Sequence, residues 1–497
     1  MRIKNKIKSA RVITGVPIPV FTVLLALTAG IAPVNASDHM DSPFLAQTGP
    51  PERTMWDIGD HFAFKGKHGL VFAMSLNPYS PPGAQSPLLV LDPNCTYEFK
   101  IDSDNDFKAD IAYKISVGKP DADGIQDVIL RKATGDAAEN NGPTGDIIVK
   151  GKSSRGNATD VIETADGIRL FVGARQDPFF YDYRLLRYNI AADQLGNSLL
   201  PLYGDFFAKP SDAPIRSLDP KYVDTAGFTF GLQNVSLIAV EIPGMDGKFN
   251  TWSVTYVQGE GLNEQVDRTG RPGISAYFLP DPPFEDYKQP FNTIPPSEDG
   301  EPWVTRFNQT ITGWQELWER DQKTGLPKMD ANNNPIPRNL AEHYLPEVLP
   351  VDTSKPTEYP NGRGFKDDAI YTMLQDFAPF QETAFPQQQS NLNWLDDFPY
   401  APLGLTTATA KKTRDHYEAQ SNALFCDKAK RDVARYCSAG VSTSVLPVQH
   451  SASDNNEIQT LQTDAAEDTG ISKLVLGMLI GGGLGFFAGR KGNTRSH

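Results

Sequence analysis

The chain has 497 residues, a formal net charge of −14, 39% hydrophobic residues and 22% charged ones. That length accommodates two or three domains of roughly 100–200 residues each, and the 41 glycines and 39 prolines suit a loop-rich, strand-rich body better than a helical bundle. The acid excess repels phosphate backbones, which argues against nucleic acid as a partner, and it attracts divalent cations.

The first 36 residues carry Arg2, Lys4, Lys6, Lys8 and Arg11 and no acid, followed by an apolar stretch densest from Val20 to Ala29. Val34 and Ala36 then place small residues before Ser37. This order of basic, apolar and small residues is that of a secretory signal over 1–36. A cut there exposes Ser37-Asp38-His39, an amine, amides and imidazole suited to square-planar Cu²⁺ or Ni²⁺.

From Asp57 to about Val257 the pattern predicts strands. They are HFAFKG, LVFAMSLN, TYEFKID, DIAYKISVG, DVILRKA, DIIVKGK, IRLFVGAR, VSLIAVEI and TWSVTYVQG. Each is rich in β-branched and aromatic residues, several alternate apolar with polar, and Asp, Gly, Asn and Pro clusters separate them. After about Pro280 prolines multiply, and helices are predicted over Ile311–Gln322, Asp367–Phe377 and Ala410–Tyr436. Residues 440–470 are polar and unpatterned, as in a flexible linker.

Leu474 to Gly489 is a run of 16 uncharged residues, with Lys473 before it and Arg490, Lys491 and Arg495 after it. As a helix it spans about 24 Å, and snorkelling Lys473 and Arg490 extend its reach toward a hydrocarbon core of about 30 Å. The predicted membrane helix covers 471–490, with a basic tail, 491–497, on the cytoplasmic side and the body outside. Gly477, Gly481, Gly485 and Gly489 fall on one helical face, a spacing that permits close helix–helix self-association in lipid.

Three cysteines exclude a disulfide scaffold. Cys426 and Cys437 flank a helix-like segment. A straight helix would hold their Cα atoms about 16 Å apart, so a bridge requires that helix to break.

The residues that point to chemistry are acidic. In IDSDNDFKADI, Asp102, Asp104 and Asp106 alternate and Asp110 follows. A turn directing alternate carboxylates inward offers hard oxygens to Ca²⁺, which takes six to eight of them. The loop is no EF-hand, because Phe107 and Tyr113 stand where that motif needs Gly and Glu. A second cluster, Asp121, Asp123, Gly124 and Asp127, is expected at the opposite end of the intervening strand, either as a separate site or as an Asp-rich turn. No G-x-S-x-G, H-E-x-x-H, P-loop or strand-linked G-x-G-x-x-G motif occurs. His61 and His68 are read as neighbours by chance.

Several segments together resemble the DUF4331 family. They are His39-Met40-Asp41-Ser42-Pro43, Asp57 to Phe64, the YEFKIDSDND loop, FVGARQDPFF at 171–180, QVDRTGRPGI at 265–274, Leu345 to Leu349, YPNGRGFKDDAI at 359–370 and FPY at 398–400. They follow the family's order over roughly 37–405. His61-Phe62 replaces the usual Leu-Tyr pair, and Gly59 replaces a small polar residue. The resemblance implies an exported, β-rich bacterial protein without an established activity, and it carries over no catalytic residue. Arg175, Asp177, Arg268, Arg271, Asn361, Arg363, Asp367 and Asp368 are its recurrent polar positions. They are read as ion pairs that fix the fold, or as the lining of a site.

The expected fold is mainly β. An antiparallel β-sandwich-like body (37–280) carries an irregular, partly helical extension packed on it (281–439) and a single C-terminal transmembrane helix. The expected function is an exported, membrane-tethered binding or structural module with Ca²⁺ at Asp102, Asp104, Asp106 and Asp110, its body periplasmic or extracellular. The alternative is a periplasmic metal-dependent hydrolase whose site gathers Asp and Arg from distant loops.

Overall fold

The computed structural model describes residues 54–80, 89–179, 233–259, 261–279, 287–318, 341–370, 372–373 and 392–412. The expected signal segment, Ser37-Asp38-His39, Cys426 and Cys437, the expected linker and the expected membrane helix lie outside the described residues. Among the described residues no helix is long and apolar enough to cross a membrane.

Among the described residues, twelve strands form two antiparallel sheets. The first contains β1 (Ile58–Lys65), β2 (Leu70–Ser80), β7 (Ile162–Glu163), β8 (Arg169–Gln176) and β9 (Asn234–Ile242), in the order β1-β2-β9-β8-β7. The second runs β11 (Leu262–Thr269), β10 (Lys248–Gly259), β3 (Cys95–Asp102), β4 (Ile111–Val117), β5 (Asp127–Thr134) and β6 (Asp146–Lys152). The short β12 (Leu349–Asp352) pairs with the beginning of β10. All nine segments expected as strands are strands.

Alternation explains how the sheets stack. Phe72, Met74, Val172, Ile238 and Val240 of the first sheet meet Tyr97, Phe99, Ile115, Leu130 and Val257 of the second in one buried cluster. Successive side chains of a strand point to opposite faces, so Phe62, Val71, Ala73, Phe171, Leu237 and Ala239 lie on the first sheet's outer face. Phe365, Phe398 and Ala401 cover that face. Both faces are therefore apolar, which is why β9 is buried at every position.

The C-terminal extension is an integral part of the sandwich. β12 adds to the second sheet, Arg363 bridges to Ala63 of β1, and Leu403 bridges to Arg175 of β8. The helices α1 (Asp136–Glu139), α2 (Ile274–Phe278), α3 (Lys288–Asn292), α4 (Trp303–Trp318) and α5 (Ala341–Tyr344) accompany the sheets. α4 begins at Trp303, upstream of the expected Ile311. Phe278, Phe291, Phe307 and Tyr344 form an aromatic cluster, with ring centroids 5.1–5.6 Å apart. Of the other two expected helices, residues 369, 370, 372 and 373 and residues 407–412 are helical where described. Thr406 and Thr409 cap the start of the last one reciprocally, each hydroxyl accepting from the other residue's N–H at 3.2 and 2.8 Å.

Candidate metal centre

The acidic loop is the β3–β4 connection. Its ends are held by the sheet, where Asp110 donates its N–H to the Ile101 carbonyl at 2.9 Å. Asn105 (φ 68°) and Phe107 (φ 64°) adopt left-handed backbone, a conformation Asn tolerates and Phe rarely takes. These reversals fold the loop over Asp102, the last residue of β3.

Asp102 is fully buried and organises the turn. Its Oδ1 accepts from the N–H groups of Asp104 (3.2 Å) and Asn105 (2.7 Å). Its Oδ2 accepts from Phe107 N–H (3.1 Å) and from the Asn250 amide of β10 (2.9 Å). Asp104 and Asp106 are exposed, and each accepts one N–H two residues ahead. The three side chains bring one carboxylate oxygen each to within 4.8 Å of the others. Oxygens bound to one Ca²⁺ at about 2.3–2.6 Å stand at most about 5 Å apart, so one ion fits this spacing. An all-oxygen donor set suits a hard cation and not zinc or copper.

The electrostatics agree. The neighbouring Asp106 charge is the first cause raising the Asp104 pKa, followed by desolvation and Asp110. Like charges gathered this way favour an added cation or proton. Asp110 lies outside the close group. Its Oδ2 accepts from Ser103 Oγ (2.5 Å) and Ser103 N–H (2.7 Å), bonds that lower its pKa. The structure thus brings together Asp102, Asp104 and Asp106 and turns Asp110 toward Ser103.

The second acidic cluster sits at the far end of β4. Asp121 Oδ1 accepts from Asp123 and Ile125 N–H, both at 2.9 Å. Asp123 faces Arg155 at 3.0 Å, and Asp127 faces Lys152 at 2.8 Å. It is an Asp-rich turn in which Asp121 caps backbone N–H groups and Asp123 and Asp127 already have cations.

The recurrent polar positions do not converge on one cleft, although Arg268 and Arg271 both meet Glu347. Arg268 forms a two-pronged pair with Asp299 (2.7 and 3.0 Å) and lies over the Phe291 ring. Arg363 pairs with Asp60 at 2.6 Å over Phe62. Arg175 donates to Thr159 and to the Ala158 and Ala174 carbonyls, and burial lowers its pKa to about 10. Asp177 accepts from Phe179 N–H at 3.0 Å. Asp367 accepts from Tyr359 and Gly364 N–H at 2.9 and 2.7 Å, and Asp368 is buried. His61 lies between the sheets, its Nδ1 2.7 Å from Ser253 Oγ. His68 is in the β1–β2 turn, where its N–H meets Glu241.

One buried cluster has no counterpart in the sequence reading. Glu98 of β3 stands 3.2 Å from Lys100 and 3.3 Å from Lys114 on the second sheet's outer face. The end of α1 and the loop after it close over it, presenting carbonyls of Ala138, Glu139, Asn140 and Gly142 to the two ammonium groups. In TYEFKID the alternation of Glu98 and Lys100 with Tyr97 and Phe99 marks a polar face; nothing there marks it as covered.

A scan against protein-family models finds no match for this chain. Searches of curated proteins and of solved structures also find none.

Proposed function

We propose that the chain is an exported, membrane-tethered β-sandwich that serves as a binding or structural module and binds Ca²⁺ on its β3–β4 loop. The observation that carries the calcium reading is the convergence of Asp102, Asp104 and Asp106 within 4.8 Å. Asp102 anchors the turn through backbone bonds, while Asp104 and Asp106 present exposed carboxylates to an incoming ion. The resemblance to the DUF4331 family supports export and a β-rich body. The tether rests on the uncharged 474–489 run and the cations after it.

Thermal melting in about 10 mM Ca²⁺ and in excess EGTA tests the calcium reading. A site of roughly millimolar to submillimolar affinity, as in extracellular modules, stabilises by about 1.4–2.7 kcal/mol at 10- to 100-fold saturation. That amounts to a rise of a few degrees. Asp104→Asn with Asp106→Asn should remove the shift without unfolding the body. Identical melting curves with and without Ca²⁺ would eliminate calcium. For the tether, a chain truncated after Gly470 should leave the membrane fraction that retains the full chain; equal partitioning would eliminate it.

A further inference from the structure

We infer that a preformed cavity beside the end of β11 is a binding site for a small organic carboxylate with an apolar body, and that Arg271 grips its carboxylate. The cavity measures about 390 Å³, at the lower end of the roughly 300–1,000 Å³ typical of small-molecule sites. Its walls come from separate segments: Arg271 after β11, His343 of α5, Pro350 of β12 and the Tyr359-Pro360-Asn361 turn.

Charge identifies the ligand's head. Among the described residues, Arg271 lines the cavity and no carboxylate does. The guanidinium of Arg271 donates to the His343 carbonyl, and among the described residues no carboxylate pairs with it. Arg268 and Arg363 each hold a buried acid. In a chain with 61 acids against 47 Lys and Arg, a half-buried arginine without an acid partner is a local anion receptor. Its planar fork matches the two oxygens of one carboxylate.

Rigidity identifies a site formed before binding. Glu347 Oε1 accepts the N–H groups of Gly270 (2.5 Å) and Arg271 (3.0 Å), which fixes the backbone that bears the guanidinium. Gly270 allows this approach: a Cβ there would stand 2.7 Å from Val348 Cα. Across the cavity, Asn361 accepts from Asp352 N–H (2.7 Å) and donates to the carbonyls of Asp352 (3.1 Å) and Pro356 (2.8 Å). It is a strut, not a ligand group. The Tyr359 ring, Pro350 and Pro360 remain as apolar walls for the body of the ligand. A preformed site avoids the ordering cost of binding.

The proposal goes beyond the calcium reading and does not rest on it, because no cavity residue belongs to the acidic loop. The test is saturation-transfer NMR and calorimetry on the full chain in detergent, with EGTA throughout so that the two readings fail separately. The probes are benzoate, 3-phenylpropanoate and indole-3-acetate, with their carboxamides and inorganic phosphate as comparisons. The expected result is a submillimolar Kd for at least one aryl carboxylate, with its carboxamide at least tenfold weaker and phosphate weaker still. Arg271→Gln should abolish binding, and Arg271→Lys should weaken it about tenfold because the fork is lost. The carboxamide comparison needs no variant, so a folding failure of Arg271→Gln leaves the test intact. Equal binding of acid and amide, undiminished binding by Arg271→Gln, phosphate binding that matches the aryl acids, or no aryl acid bound at about 10 mM would each overturn the assignment.

Discussion

His61 sets a pH limit on the fold. It is fully buried between the sheets, with Nδ1 against Ser253 and Nε2 without a hydrogen-bond partner among the described residues. Burial, then the nearby Arg363 charge, lowers its pKa from 6.5 to about 3, so the folded chain keeps the imidazole neutral. The unfolded chain takes up a proton below about 6.5, and the folded chain does so only near 3. Stability from this residue is therefore full above pH 6.5 and declines as pH falls, by at most about 1.4 kcal/mol per pH unit. Urea titrations between pH 4 and 7 should show a steeper loss for the wild type than for His61→Gln; parallel slopes would assign the acid sensitivity elsewhere. The position was not legible as buried. Alternation places His61 on the Ala63 face and Phe62 on the other, and since both faces of β1 are covered, the pattern does not distinguish interior from surface. The acidic loop was legible, because alternate Asp residues in a turn carry their own geometry. Asp110 was not, because its engagement with Ser103 depends on how the loop closes.

Among elements, β3 and β4 show how a polar face becomes an interior. Glu98, Lys100 and Lys114 are satisfied by one another and by carbonyls of the covering loop, and Glu98 Oε1 also accepts from Gly142 N–H at 2.6 Å. Glu98→Gln leaves two buried ammonium groups without their carboxylate, which should destabilise the body by about 3–5 kcal/mol. Replacing all three residues with Met leaves no charge behind, but it strips the covering carbonyls of their donors and Gly142 N–H of its acceptor, so it should destabilise the body no less. Denaturant melts of the two variants check this; a mild loss for the Met variant would mean that charge, not the hydrogen-bonded cover, sets the effect. The strands the sequence announced are those with several Val, Ile, Phe or Tyr in a row. β7, β11 and β12 were missed for physical reasons. β7 has two residues. β11 reads LNEQVDRT and gains strand form from its pairing with β10. β12 contains Pro350 and is held by pairing to Lys248–Thr251. The early start of α4 was hidden by the prolines at 295, 296 and 302, which read as loop although Pro302 directly precedes the helix, where its missing N–H is tolerated.

For the molecule as a whole, the late part of the chain completes the sandwich begun by the early part. The outer face of the first sheet is a continuous apolar surface of Phe62, Val71, Ala73, Phe171, Leu237 and Ala239. Phe365 covers it, 4.7 Å from the Phe62 ring and 5.1 Å from Phe64, and is itself stacked by Trp394 at 6.1 Å. Arg363 supplies the counter-charge for buried Asp60. A chain from Ser37 that ends at residue 362 retains the twelve described strands but loses this cover and the Arg363 partner of Asp60. An exposed apolar face of that extent and a buried acid stripped of its cation both oppose a cooperative fold. The shorter chain should aggregate or bind a hydrophobic dye without a sharp melt, while a chain ending at residue 412 should melt cooperatively. Phe365→Ala in the longer chain should cost about 3–5 kcal/mol, as expected for deleting a buried phenyl group. Cooperative melting of both chains at similar temperatures would show that the sandwich stands without its C-terminal cover, and residues 363–412 would then be an appendage and not part of the core.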